Sequence, residues 1–112
     1  MSDDADRMRD AVSRYRHLNR ATADPDELLS AVIEACDAAA DDDDELCNIA
    51  VVLIDGLLDQ YWHRIGDRFQ LEMAAHQPLR KAYSCTMTDI PNSLRNRLDA
   101  LVGPDEDIGH NK

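Results

Sequence analysis

A chain of 112 residues that is 44% hydrophobic has room for one core, and one Phe, one Trp and three Tyr leave that core to Leu, Ile, Val, Met and Ala. Such a composition suits helices that interlock through aliphatic ridges and argues against a sheet-rich fold. The net charge of −11 disfavours direct nucleic-acid binding, because phosphates and carboxylates repel. The expected architecture is an all-α, single-domain bundle of four to five helices over residues 1–104, followed by a flexible C-terminal tail at 105–112.

The first predicted helix covers Asp3 to Arg20. Ala5, Met8, Val12, Tyr15 and Leu18 recur at three- and four-residue spacing and mark its core face, while Arg7, Arg9, Arg14, Arg16 and Arg20 mark a solvated one. The second helix starts at Asp24-Pro25-Asp26-Glu27, which supplies a side-chain acceptor at the N-cap, proline at N1 and a glutamate to complete a capping box. Leu28, Leu29, Val32, Ile33 and Cys36 form its buried stripe, and Glu27, Glu34, Asp37 and Asp41 line another face.

Asp41-Asp42-Asp43-Asp44-Glu45 reads as a loop ending in a second capping box, with Asp42 accepting from the amide near Glu45. Capping explains one or two of these acids and does not require four consecutive aspartates. The third helix begins near Asp43. It carries Leu46, Ile49, Ala50, Val52, Leu53, Leu57, Tyr61, Trp62 and Ile65, with Val51, Ile54 and Leu58 widening the apolar arc, as in the central helix of a bundle. Gly66 is a candidate break, yet Phe69, Met73 and His76 keep helical spacing up to Pro78.

Leu79, Ala82, Tyr83 and Met87 suggest a short helix, with an extended path equally open for residues 83–88. The last helix is expected to open near Thr88 or Asp89 with Pro91 in its first turn. It packs Ile90, Leu94, Leu98, Leu101 and Val102 and stops at Gly103-Pro104.

Cys36, Cys47 and Cys85 are odd in number and form no CxxC pair, so reduced, buried thiols are expected. The segment from Met1 to Asp10 is polar and unlike a secretory leader, and the longest apolar run, Ile49 to Ile54, falls far short of the roughly 20 residues that span a bilayer. A cytoplasmic protein with no membrane contact is the expectation.

No motif announces chemistry. Asp59 with His63 and Glu72 with His76 stand at i,i+4 spacing and could serve as metal ligands only by converging across helices; surface pairing is the plainer reading. Asp55 and Asp59 could share acid–base work if one were buried. Nucleophile elbows and Gly-rich phosphate loops are missing from the sequence, so no catalytic residue, cofactor or metal is expected. Five short helices around a small core also leave little room for a cavity of about 300 Å³. Tyr61-Trp62-His63-Arg64 is the one aromatic and polar cluster; one ring in the core, or an interface anchor at Trp62, fits it. His17 and His110 receive no role.

Charge gives the functional clue. Residues 1–23 hold four acids and five arginines, residues 24–60 hold twelve acids and no Lys or Arg, and residues 61–101 hold four acids and six bases. Asp26, Glu27, Glu34, Asp37, Asp41, Asp42, Asp43, Asp44, Glu45, Asp55, Asp59 and Trp62 are therefore the candidate partner-binding residues. They would dock on a basic protein surface, and if that surface normally holds DNA or RNA the chain would inhibit by mimicry. In size and charge the chain is similar to small acidic phage-encoded inhibitors, anti-CRISPR proteins among them, although no motif carries that likeness. A homodimer through the apolar third helix is a further possibility. Two other readings stand beside these: acidity as salt adaptation, suggested by 18 Asp against 5 Glu and only two Lys, and a metal-binding bundle built on Asp59, His63, Glu72 and His76.

Overall fold

The computed structural model describes residues 2–21 and 24–109, with backbone alone at 2–4, 20 and 21. Helices α1 (Ser2–Ala21), α2 (Pro25–Ala38), α3 (Asp43–Ile49), α4 (Asp55–Ala75), α5 (Gln77–Tyr83) and α6 (Asn92–Asp99) account for the regular structure, with a π-helical segment, Ala50–Ile54, joining α3 to α4. Because α3, the π segment and α4 run on without a break, the fold reads as five helices, and no strand occurs among the described residues.

The start of α2 follows from its sequence. Asp24 takes an extended conformation and accepts from the Asp26 amide at 3.0 Å, with Pro25 at the first helical position. The cap bond thus goes to the N2 amide, one residue before Glu27. At α3 the forward half of the expected box forms, with Asp42 accepting from the Glu45 amide at 3.2 Å, while the Asp42 amide donates to the Ala39 carbonyl at 2.8 Å.

Phe69 is the largest fully buried side chain of the core, which also fully buries Leu28, Leu29, Leu46, Ile54, Leu57, Leu58, Ile65, Met73, Leu79 and Leu98. All five stripe residues of α2 are buried, and α1 packs along α2 through Ala11 and Tyr15, with Met8, Val12 and Leu18 half-buried. The π segment has a packing reason. Buried residues of the central helix recur in steps of four (Leu46, Ala50, Ile54, Leu58 and Ile49, Leu53, Leu57), and each such step drifts about 40° around an α-helix of 3.6 residues per turn. A wider turn, in which the Asp55 amide reaches back to the Ala50 carbonyl, absorbs that drift and keeps both rows inward. On the outer side of the same helix, Val51 and Val52 are 60% and 51% exposed. Val52 and Trp62 thus leave the expected buried stripe, and Tyr61 is half-buried.

Several expectations change. Gly66 does not interrupt α4; it is buried where Leu94 of α6 crosses, and a β-carbon there would press on the Leu94 side chain. After α5, residues 84–91 form a turn and an irregular segment, with Met87 exposed, and α6 begins only at Asn92, with Pro91 as its N-cap. Pro91 supplies no N–H and holds its predecessor extended, which delays the helix. Cys47 and Cys85 are joined in a disulfide, contrary to the expected free thiols, while Cys36 is a buried thiol. No cysteine spacing signals such a pair, because α3 and the end of α5 meet only through the tertiary fold.

Residues 105–109 fold back on the domain where a frayed tail is expected. Glu106 is buried and bonds Arg80 through both oxygens at 2.8 Å, and Ser84 Oγ accepts from the Ile108 and Gly109 amides. Residues 110–112 of the predicted tail lie outside the described residues. Among the described residues no helix is long and apolar enough to cross a membrane.

Candidate functional site

The acidic stretch 24–60 divides into three groups once folded. The first is paired with cations. Arg68 of α4 binds Asp26 at 3.1 Å and also bonds the Asp26 carbonyl, Ser30 and Glu72. Arg14 of α1 pairs with Glu34, Lys81 of α5 with Asp43 at 3.2 Å, and His76 stands 3.3 Å from Asp37. The expected continuous anionic face is therefore interrupted at four places by side chains from α1, α4, α5 and the α4–α5 junction.

A second group is structural. Asp55 accepts from the Met87 amide at 3.0 Å, and Asp59 accepts from the Thr88 hydroxyl and from the Asp89 amide at 2.9 Å. One turn of α4 thus supplies the acceptors that the irregular 86–91 segment lacks. Partial burial raises the Asp55 pKa above the ordinary carboxylate value, the Met87 amide opposes this, and the neighbouring Asp59 charge adds to it. Their work here is to fix a loop, and neither lies at the turn that carries the four aspartates. Trp62 packs edge-on against His63 on the exposed side of α4 and likewise stands apart from that turn.

The third group, which shares the cation-paired Asp37 and Asp43 with the first, forms the candidate site. Where α2 ends and α3 begins, Asp37 and the run from Asp41 to Glu45 line an open concavity of about 790 Å³ whose apolar floor is Ala38, Ala39, Ala40, Ala5 and Met8. Six of its lining residues are acids, and no basic residue lines it among the described residues. Asp41, Asp42 and Asp44 are exposed and Glu45 half-exposed. The geometry has a local cause: two helices meet end to start through the three-residue turn 39–41, so the carboxylates of the first turn of α3 gather beside the end of α2. Glu27 lies on α2 against a separate shallow hollow with Arg14, Leu18 and Ser30.

Comparison with protein-family models, curated proteins and solved structures finds no match. The site must be read from its own chemistry.

Among the described residues no group of three or more His, Cys, Asp or Glu side chains gathers in a way that could hold a metal. Glu72 and His76 do approach each other, at 3.5 Å, but Asp59 is engaged by the 88–89 segment and His63 by Trp62, so the four proposed ligands do not converge. A second open concavity, of about 470 Å³, lies between the end of α5, α6 and the C-terminal segment. Both hollows exceed the room expected from helix count alone, because they are open surface features and not enclosed cavities. In the second, Tyr83 donates to Asp99 at 2.8 Å, and burial together with that carboxylate raises the tyrosine pKa. Arg95 beside it is committed to the Thr88 carbonyl.

Proposed function

We propose that the protein is a non-catalytic binding domain whose α2–α3 corner takes a basic segment of a partner protein. The observation that carries this reading is the acid-lined concavity with an alanine floor. An arginine or lysine side chain is amphipathic: its methylene stem fits an apolar floor while its head reaches the rim. Carboxylates at the rim would steer a basic partner and speed its association.

The proposal is narrower than the whole acidic stretch, because Asp26, Glu34 and Asp43 already have cations and Asp55 and Asp59 hold a loop. Protein surfaces that hold DNA or RNA carry clustered Arg and Lys, so a competitive inhibitor of such a protein is the activity that corresponds to this corner.

The test is fluorescence anisotropy with a labelled arginine-rich peptide at about 0.1 M salt, where screening still permits local charge to act. Replacing Asp41, Asp44 and Glu45 by their amides should weaken binding about tenfold, roughly 1.4 kcal/mol. The same charge removed at Asp10, Asp67 and Asp105 should change it less than twofold. Equal losses from the two sets would refute a local site and leave only the net charge.

A further inference from the structure

We propose that the groove between α1 and the α3–π junction is the twofold interface of a homodimer. This goes beyond the corner reading and does not depend on it.

The groove, about 180 Å³, has Met8, Val12, Ile49 and Val52 along its length, with Arg9 and Arg16 on the α1 side and Glu45 on the α3 side. Val52 is 51% exposed, although the same helix buries Ile49 and Leu53 on either side of it. Helical spacing accounts for this, since Val51 and Val52 stand opposite the two inward rows, Ile49, Leu53, Leu57 and Ala50, Ile54, Leu58. An exposed aliphatic strip beside half-buried methionine and valine is apolar surface left without cover in the single chain.

Charge selects what covers it. A uniformly basic partner would meet Arg9 and Arg16, and a uniformly acidic one would meet Glu45 and the aspartates beyond it. The sign reverses from one edge of the apolar strip to the other. A twofold axis lying in the interface and running along the strip brings the basic edge of each copy against the acidic edge of its mate, and it stacks Val52 near its symmetry equivalent. A second copy of this chain therefore supplies the complementary pattern with no further assumption. Local complementarity is also what two bodies of net charge −11 need in order to associate at all.

Sedimentation velocity over about 1 to 300 μM protein at roughly 0.15 M salt, a range that brackets the micromolar affinities of modest interfaces, tests this. The wild-type chain should pass from monomer to dimer within the range. Val52→Asp should shift the midpoint at least tenfold toward monomer, with circular dichroism unchanged because the residue is half-exposed. Arg16→Glu and Glu45→Arg should each weaken the dimer about tenfold, and the double variant should return within about threefold of wild type, because exchanging both signs rebuilds each cross-copy pair. A wild-type chain that stays monomeric at 300 μM overturns the proposal. So does a dimer indifferent to Val52→Asp, or a double variant no better than the singles. Because Met8 and Glu45 line both the groove and the corner, the peptide assay belongs below the dimer midpoint, where Val52→Asp should leave peptide binding unchanged and failure of either result leaves the other standing.

Discussion

Glu106 shows how one residue can decide the course of a chain end. Its carboxylate takes two hydrogen bonds from Arg80 and one from the Gly103 amide, while Arg80 also donates to the Met73 and Ala74 carbonyls at the end of α4. The guanidinium holds the Glu106 carboxyl at about 2, below its ordinary 4.5, with burial acting in the opposite direction. A carboxyl whose folded pKa is depressed contributes stability above its unfolded value and loses it as the pH falls through the folded one. Glu106→Gln should thus cost on the order of 2–3 kcal/mol at pH 7, and the difference from wild type should vanish as the pH falls from about 5 to 2. Urea unfolding at several pH values measures this, and a pH-independent difference would show that the ion pair is not its source. Tyr15 works in a similar way inside the core: its hydroxyl donates to the Leu53 carbonyl at 3.3 Å, and burial, with a smaller effect from Tyr61, lifts its pKa to about 12.

Among the elements, α3 and α5 are tied twice, by the Cys47–Cys85 disulfide and by the Lys81–Asp43 ion pair. The half-cystines are 38 residues apart, so closing that loop in the unfolded chain removes much of its freedom. Reduction should lower stability by about 2–4 kcal/mol, read as a shift in the denaturant midpoint with and without dithiothreitol. Thiol titration gives a second check. Cys36 is buried and burial raises its pKa, so the oxidised native protein should react with no thiol reagent until unfolded, and then with one equivalent. Three reactive thiols on unfolding without reductant would mean that the bridge is absent. The loop 86–91 is held by a different device, the two α4 carboxylates Asp55 and Asp59. This explains why so irregular a segment can lie against the domain while Met87 points outward.

The whole molecule has a radius of gyration of 12.9 Å, close to the roughly 13 Å expected of a compact domain this long, in spite of its charge. Ion pairs from α1, α4 and α5 into the acidic stretch offset part of its self-repulsion. Helicity should therefore persist at about 0.02 M salt, where the screening length exceeds 20 Å and unpaired carboxylates would repel most strongly. Circular dichroism from that salt concentration to several molar separates this from salt adaptation, which requires unfolding at the low end.

Read by itself, the sequence determined the helical class, the capped starts of α2 and α3, the buried stripe of α2 and the helical course of 43–75. Each of these depends on side chains a few residues apart, and such spacing is written directly in the chain. Tertiary structure alone decided which acids face solvent and which face Arg14, Arg68 or Lys81. It also decided that Cys47 meets Cys85 and that Glu106 returns to Arg80. Those pairings join residues 20 to 42 positions apart, and local periodicity carries no information about them. The acid cluster of the corner between α2 and α3 was legible because its acids are consecutive in the chain and gather there through the capping of one short helix.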